Sequence, residues 1–177
     1  MSTMADQSHQ KATFYQYRLL KKITFPRWMW TTYLLLPCAA VASQMVILSW
    51  DSFIFFLLAG MLIFWIQFVI GRSVLHLTGS LSSRKWRFSL QAPWIGYMPE
   101  QHVSSFRFIK VQWHTSWIGC VLIALMAFWS PLSFTISAYF WHLWLVGPRY
   151  YAWYRLTRQY KDGMLKFGPD DVSYYSQ

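Results

Sequence analysis

Val111–Pro148 reads VQWHTSWIGCVLIALMAFWSPLSFTISAYFWHLWLVGP and holds no Lys, Arg, Asp or Glu. A helix needs about 20 apolar residues to cross the hydrocarbon core of a bilayer, and this stretch is roughly twice as long. Ser130-Pro131 lies near its middle, where a proline stops a helix and a turn is expected. The stretch therefore predicts two consecutive crossings, near 112–130 and 131–149. Upstream, Trp28–Trp50 and Ser52–Gly71 are equally free of charge, with Asp51 alone between them. They predict two further helices, near 28–50 and 52–72.

Composition points the same way. The chain is 55% hydrophobic, 21% aromatic and 12% charged, where a soluble domain carries about 25% charged residues. Too little polar sequence remains to cover so large an apolar core in water, whereas a bilayer lets helix surface stay apolar. Backbone hydrogen bonding inside lipid demands helices here.

The cations set the expected orientation. All 16 Lys and Arg fall within Lys11–Arg27, Arg72–Lys110 and Arg149–Lys166. Short loops rich in Lys and Arg stay in the cytoplasm, and four crossings put all three segments on one side. The expectation is an all-α membrane protein of four transmembrane helices in two cytoplasm-based hairpins, with both termini inside, in the cell inner membrane. Its divisions are a basic amphipathic segment (1–27), a first hairpin (28–72), a basic-aromatic middle loop (73–111), a second hairpin (112–149) and a tail (150–177). Lys21-Lys22, an apolar run and Ala40-Val41-Ala42-Ser43 resemble a secretory signal with its cleavage site. The apolar run continues through Met45-Val46-Ile47-Leu48, which favours an uncleaved helix. Pro37 before Cys38 fits a lipoprotein box poorly.

The basic segments have texture. On a helical wheel over Lys11–Phe25, Tyr17, Leu19, Leu20 and Ile23 share one side, while Lys11, Arg18, Lys21 and Lys22 share the other. That pattern suits a helix in the membrane interface with its cations near anionic headgroups, or an ordinary basic flank. In the middle loop Trp86, Phe88 and Leu90 alternate with Arg87, Ser89 and Gln91, and Phe106 and Phe108 flank Arg107. Period-two alternation predicts short extended segments; a short interfacial helix near 100–111 is the alternative. Trp94, Ile95, Tyr97 and Met98 are costly to leave in water and are expected against lipid or a partner. Arg18, Lys21, Lys22, Trp86, Arg87, Trp94, Tyr97, Arg107 and Lys110 are thus the candidate contacts with headgroups or partner proteins. Basic residues mixed with aromatics also line single-strand nucleic-acid surfaces, but aromatic belts at span ends account for them here, and nucleic acid is not the expected partner.

The two halves look alike. Phe64-Trp65 leads to Gly71-Arg72 at the end of the second helix, and Phe140-Trp141 leads to Gly147-Pro148-Arg149 at the end of the fourth. Trp86-Arg87-Phe88 then corresponds to Leu165-Lys166-Phe167. A duplication of this kind is parallel, not inverted.

Candidate chemistry is sparse. His142 lies deep in the fourth span, where polar groups face protein or a cavity, and Gln67 at a comparable depth is its expected partner. Such a pair is either interhelical glue or, with Gln44 and Ser43, part of a polar path. His76 and His114 with His142 offer an imidazole set, but without paired spacing for haem or metal. His102 beside Glu100 is the nearest thing to an acid/base pair. Cys38 and Cys120 read as small apolar groups. No phosphate loop, nucleophile elbow, zinc-protease signature or CxxC is present, and no cofactor is expected. The leading functional reading is a non-catalytic inner-membrane subunit that organises a larger assembly, with other protein subunits, anionic lipids or a second copy as partners. A small oligomeric transporter or channel along Gln44, Gln67 and His142 is the alternative. A haem-, quinone- or lipid-handling subunit is the third.

Overall fold

The computed structural model describes residues 18–77, 86–90, 92–157, 163–168 and 171–176. In chain order these form β1 (Arg18–Thr24), α1 (Arg27–Ile47), α2 (Ser52–Leu77), β2 (Trp86–Ser89), β3 (Gly96–Pro99), β4 (Val103–Ser104), α3 (Ser105–Met126), α4 (Leu132–Thr157), β5 (Met164–Phe167) and β6 (Asp171–Ser176). The protein is mostly helical, and α1, α2 and α3 are long and apolar enough to cross a membrane. α4 is as long as α2 but not apolar enough by the same measure. Ser133, Ser137, His142 and Arg149 lower its hydropathy, and all four are buried in the bundle.

Four helices occur where four were expected, but their ends nearer the strands run further. α2 continues to Leu77, α3 begins at Ser105, and α4 passes Gly147-Pro148 to reach Thr157. Charge limits how much of a helix sits in hydrocarbon, not how long the helix is. Phe106-Arg107-Phe108, read as extended from its alternation, is the first turn of α3 instead. The outward faces of the helices stay apolar, with Leu35, Leu57, Met61, Trp65, Val121 and Leu143 all exposed. Such faces suit lipid.

The amphipathic helix expected before the first span needs correction. Lys11 lies outside the described residues, and Arg18–Thr24 is a strand. It pairs antiparallel with β6, from Arg18 opposite Ser176 to Thr24 opposite Asp171. The register shifts between Leu19 and Lys21. That irregularity breaks the period of two and leaves a pattern that fits a helical wheel. The four-stranded sheet runs β1-β6-β5-β4, all antiparallel, while β2 and β3 form a separate hairpin. An all-α description therefore covers the bundle and omits this β cap.

The order strand, helix, helix, strand, strand occurs twice, once in β1–β3 and once in β4–β6. The residues matched between the halves, Trp86-Arg87-Phe88 and Leu165-Lys166-Phe167, fall on the equivalent strands β2 and β5. The halves differ in one respect: β4 pairs with the hairpin of its own half, whereas β1 crosses to β6 and ties the two ends of the chain together. Phe25, Trp94, Phe108 and Phe167 join the sheet to the helices through edge-on and tilted ring contacts.

Candidate functional site

α4 makes polar contact with each of the other three helices, and these contacts form a buried seam. Near the start of α4, Ser137 Oγ lies 2.7 Å from Gln44 Oε1 of α1 and 2.7 Å from the Ser133 carbonyl one turn back, and its single proton serves one acceptor at a time. One turn further along α4 the Trp141 indole donates to the Phe56 carbonyl of α2 at 2.9 Å. Gly60 makes this approach feasible, because a Cβ there would stand 2.9 Å from the ring.

His142 comes next along the helix. Gln67 Nε2 lies 3.2 Å from His142 Nδ1. An amide nitrogen only donates, so Nδ1 accepts and the neutral ring carries its proton on Nε2. The ring presses on Gly119 of α3, where any Cβ would collide with it, and the backbone of Ser116 lies beside it. Among the described residues Gln67 Oε1 is buried without a hydrogen-bond partner.

Two prolines organise the next level. Proline removes the hydrogen bond to the carbonyl four residues before it. Pro37 thus frees the Tyr33 carbonyl and Pro148 frees the Trp144 carbonyl. Each freed carbonyl is taken by the other residue's side chain. Trp144 Nε1 donates to Tyr33 O at 3.0 Å, and Tyr33 OH donates to Trp144 O at 3.4 Å. The rings stack with centroids 4.2 Å apart and planes 6° from parallel.

Toward the strands Arg149, 2% exposed, donates to Gln112 Oε1 of α3 at 3.2 Å and to the Ile95 carbonyl before β3. Gly96 makes room for the guanidinium and has a φ of +116°, a conformation that glycine adopts freely. Neither ion pair among the described residues involves Arg149. Arg149 directly follows the charge-free stretch Val111–Pro148, and α4 continues through it and buries its side chain. Arg149, Gln112 and Ser137 were missed by sequence reasoning. The available signal was heptad spacing: Arg149 stands seven residues after His142, on the same helix face.

The seam is a set of separate knots. The buried α4 positions between Ser137 and His142, and between His142 and Arg149, are Ala138, Leu145 and Val146. Ala59, Ile63 and Ile123 complete the packing. Gln44 therefore pairs with Ser137 and not with Gln67 or His142.

The surface candidates divide. Arg18, Lys22, Arg87, Arg107 and Lys110 are exposed, and Lys21 is half-buried with its ammonium on the Arg155 carbonyl. Lys22 meets Asp171 at 3.5 Å and Arg87 meets Glu100 at 3.4 Å. Trp86 and Trp94, expected at the surface, are 4% and 2% exposed; they close the core under the sheet. Tyr97 is half-buried against Phe68 and Trp86, and burial raises its phenol above the usual range, opposed by Arg72. Glu100 meets Arg87, and His102 stacks edge-on against Tyr175. His76, His114 and His142 are not gathered, and among the described residues no group of three or more His, Cys, Asp or Glu could hold a metal. No family model matches the chain, and neither a curated protein nor a solved structure is significantly similar to it.

Proposed function

We propose that this chain is a non-catalytic, four-pass inner-membrane subunit that anchors or organises a larger assembly through its strand-bearing end. One observation carries the reading. Every described Lys and Arg lies at the end of the bundle where the strands gather, and Asp51 is the only charged residue in the turns at the other end. Cation-rich loops are retained in the cytoplasm, so the sheet, the hairpin and both termini face the cell interior. β1 pairing with β6 closes that end into a platform. Its exposed Arg18, Arg87, Arg107, Lys110 and Phe106 suit acidic and apolar surface on another subunit or anionic headgroups.

The separate polar knots favour a scaffold over a channel. A conducting path needs polar groups continuous from end to end, and the α4 face alternates them with Ala138, Leu145 and Val146. Purification in mild detergent from the native host tests the proposal: a stoichiometric partner is expected, weakened by Arg87→Glu with Arg107→Glu. A lone monodisperse monomer would sink it. Cysteines placed at Arg87 and Lys166 should react from one side of the membrane and a cysteine at Ser130 from the other; opposite labelling of the first two overturns the orientation.

A further inference from the structure

We infer that the chain holds one anionic phospholipid in the cleft between α1 and α4, an inference that rests on the membrane-spanning part of the reading above. The cleft is a cavity of about 200 Å³ walled by Phe25, Met29, Trp30 and Tyr33 on one side and by Gly147 and Tyr151 on the other. Its α1 wall is one helix face, with Met29, Trp30 and Tyr33 at spacings of one, three and four residues. On the α4 side Gly147 lines it, and a Cβ added there would meet nothing within 4 Å. The walls are almost wholly apolar, and a space of this kind accepts a hydrocarbon chain and rejects a polar ligand.

The rim selects the headgroup. In the sequence Arg27 falls between Phe25 and Met29, three residues before Trp30, and Arg155 comes one helical turn after Tyr151; both are exposed. Neither takes part in the two ion pairs among the described residues, which belong to Lys22 and Arg87. Trp30, Tyr33 and Tyr151 are amphipathic rings of the sort that sit at the level of lipid headgroups. An acyl chain inserted beside Gly147 therefore emerges with its phosphate between two unneutralised guanidinium groups. A neutral zwitterionic lipid fills the cavity equally well but leaves the excess positive charge of the rim uncompensated.

The test uses the full chain in nanodiscs of equimolar phosphatidylglycerol and phosphatidylcholine, with detergent extraction and native mass spectrometry afterwards. The wild-type chain should retain one phosphatidylglycerol. Gly147→Leu, which fills the cavity, should lower retention about tenfold, the effect of losing one buried aliphatic contact. Arg27→Gln with Arg155→Gln should keep a bound lipid but abolish the preference for phosphatidylglycerol. If Gly147→Leu does not fold, Met29→Trp closes the cavity from the other wall with the same expectation. Equal retention by wild type and the filled variant, or no headgroup preference in wild type, overturns the inference. Partner capture scored on the same preparations separates the two readings: a chain that captures its partner without retaining lipid sinks the lipid site alone, and one that retains lipid without a partner sinks the scaffold alone.

Discussion

Tyr33 and Trp144 occupy each other's vacated backbone acceptors: each residue's carbonyl, freed by a proline four positions later, is capped by the other's side chain. In lipid an unsatisfied carbonyl has no water to turn to, so this exchange is what lets α1 and α4 both carry an internal proline. α1 has Gln44 as its only buried residue, and the Tyr33–Trp144 clasp is therefore expected to dominate its docking. Trp144→Phe should destabilise the bundle by about 1–2 kcal/mol, by orphaning one carbonyl and losing a stacked donor. Tyr33→Phe should cost less, since its bond is the longer. A double-mutant cycle read by unfolding in mixed micelles should give non-additive losses; strict additivity refutes the clasp.

Gly119 is the seat of the His142 ring. Gly119→Ala ordinarily strengthens a helix by up to about 1 kcal/mol, but here the methyl group drives the imidazole off Gln67. The net change should be a loss of about 1–3 kcal/mol, the usual cost of overpacking. A compensating His142→Ala in the same chain should recover most of it, and failure to do so would place the ring elsewhere.

Arg149 joins α3, α4 and the segment before β3. Arg149→Ala strands Gln112 and the Ile95 carbonyl in the core, and a loss of about 2–4 kcal/mol is expected. Arg149→Lys should rescue little of it, because one ammonium cannot reproduce two diverging guanidinium bonds. Proteolytic nicking near Ile95 is the readout: faster cleavage in both variants is expected, and an unchanged rate in Arg149→Lys counts against the geometry.

His102 supplies a pH dependence outside the membrane. Burial, and then the nearby Lys166 charge, lower its pKa below the usual 6.5. The folded state thus releases this proton more readily than the unfolded chain. Its contribution is fully present above pH 6.5 and is lost as pH falls from 6.5 through the lower folded value. Ring-proton NMR should show His102 titrating below 6.5 and moving upward in Lys166→Gln; a midpoint at or above 6.5 contradicts the packing.

If the polar knots are structural, proteoliposomes of the purified chain should pass no ions or small solutes beyond the protein-free leak. His142→Ala and Gln67→Ala should then lower the unfolding midpoint without altering permeability. Flux that disappears in His142→Ala would restore the channel reading.

The chain by itself determined the features that local composition dictates. Charge-free runs at Trp28–Trp50, Ser52–Gly71 and Val111–Pro148 mark four helices because lipid tolerates no unpaired backbone, and Asp51 and Ser130-Pro131 mark their turns. The Gln67–His142 pair was also legible, from two polar residues at comparable depth in the motif shared by the halves. Tertiary structure decided the features that depend on residues far apart. Arg18–Thr24 becomes a strand because β6, near the other end of the chain, supplies its hydrogen bonds, and no local periodicity reports a partner that distant. Arg149 is buried because Gln112, Ile95 and Gly96 together shape a site for it, and its sequence neighbours alone look like an ordinary basic flank. The Tyr33–Trp144 clasp needs two prolines on two helices brought face to face, a coincidence that exists only in the folded bundle.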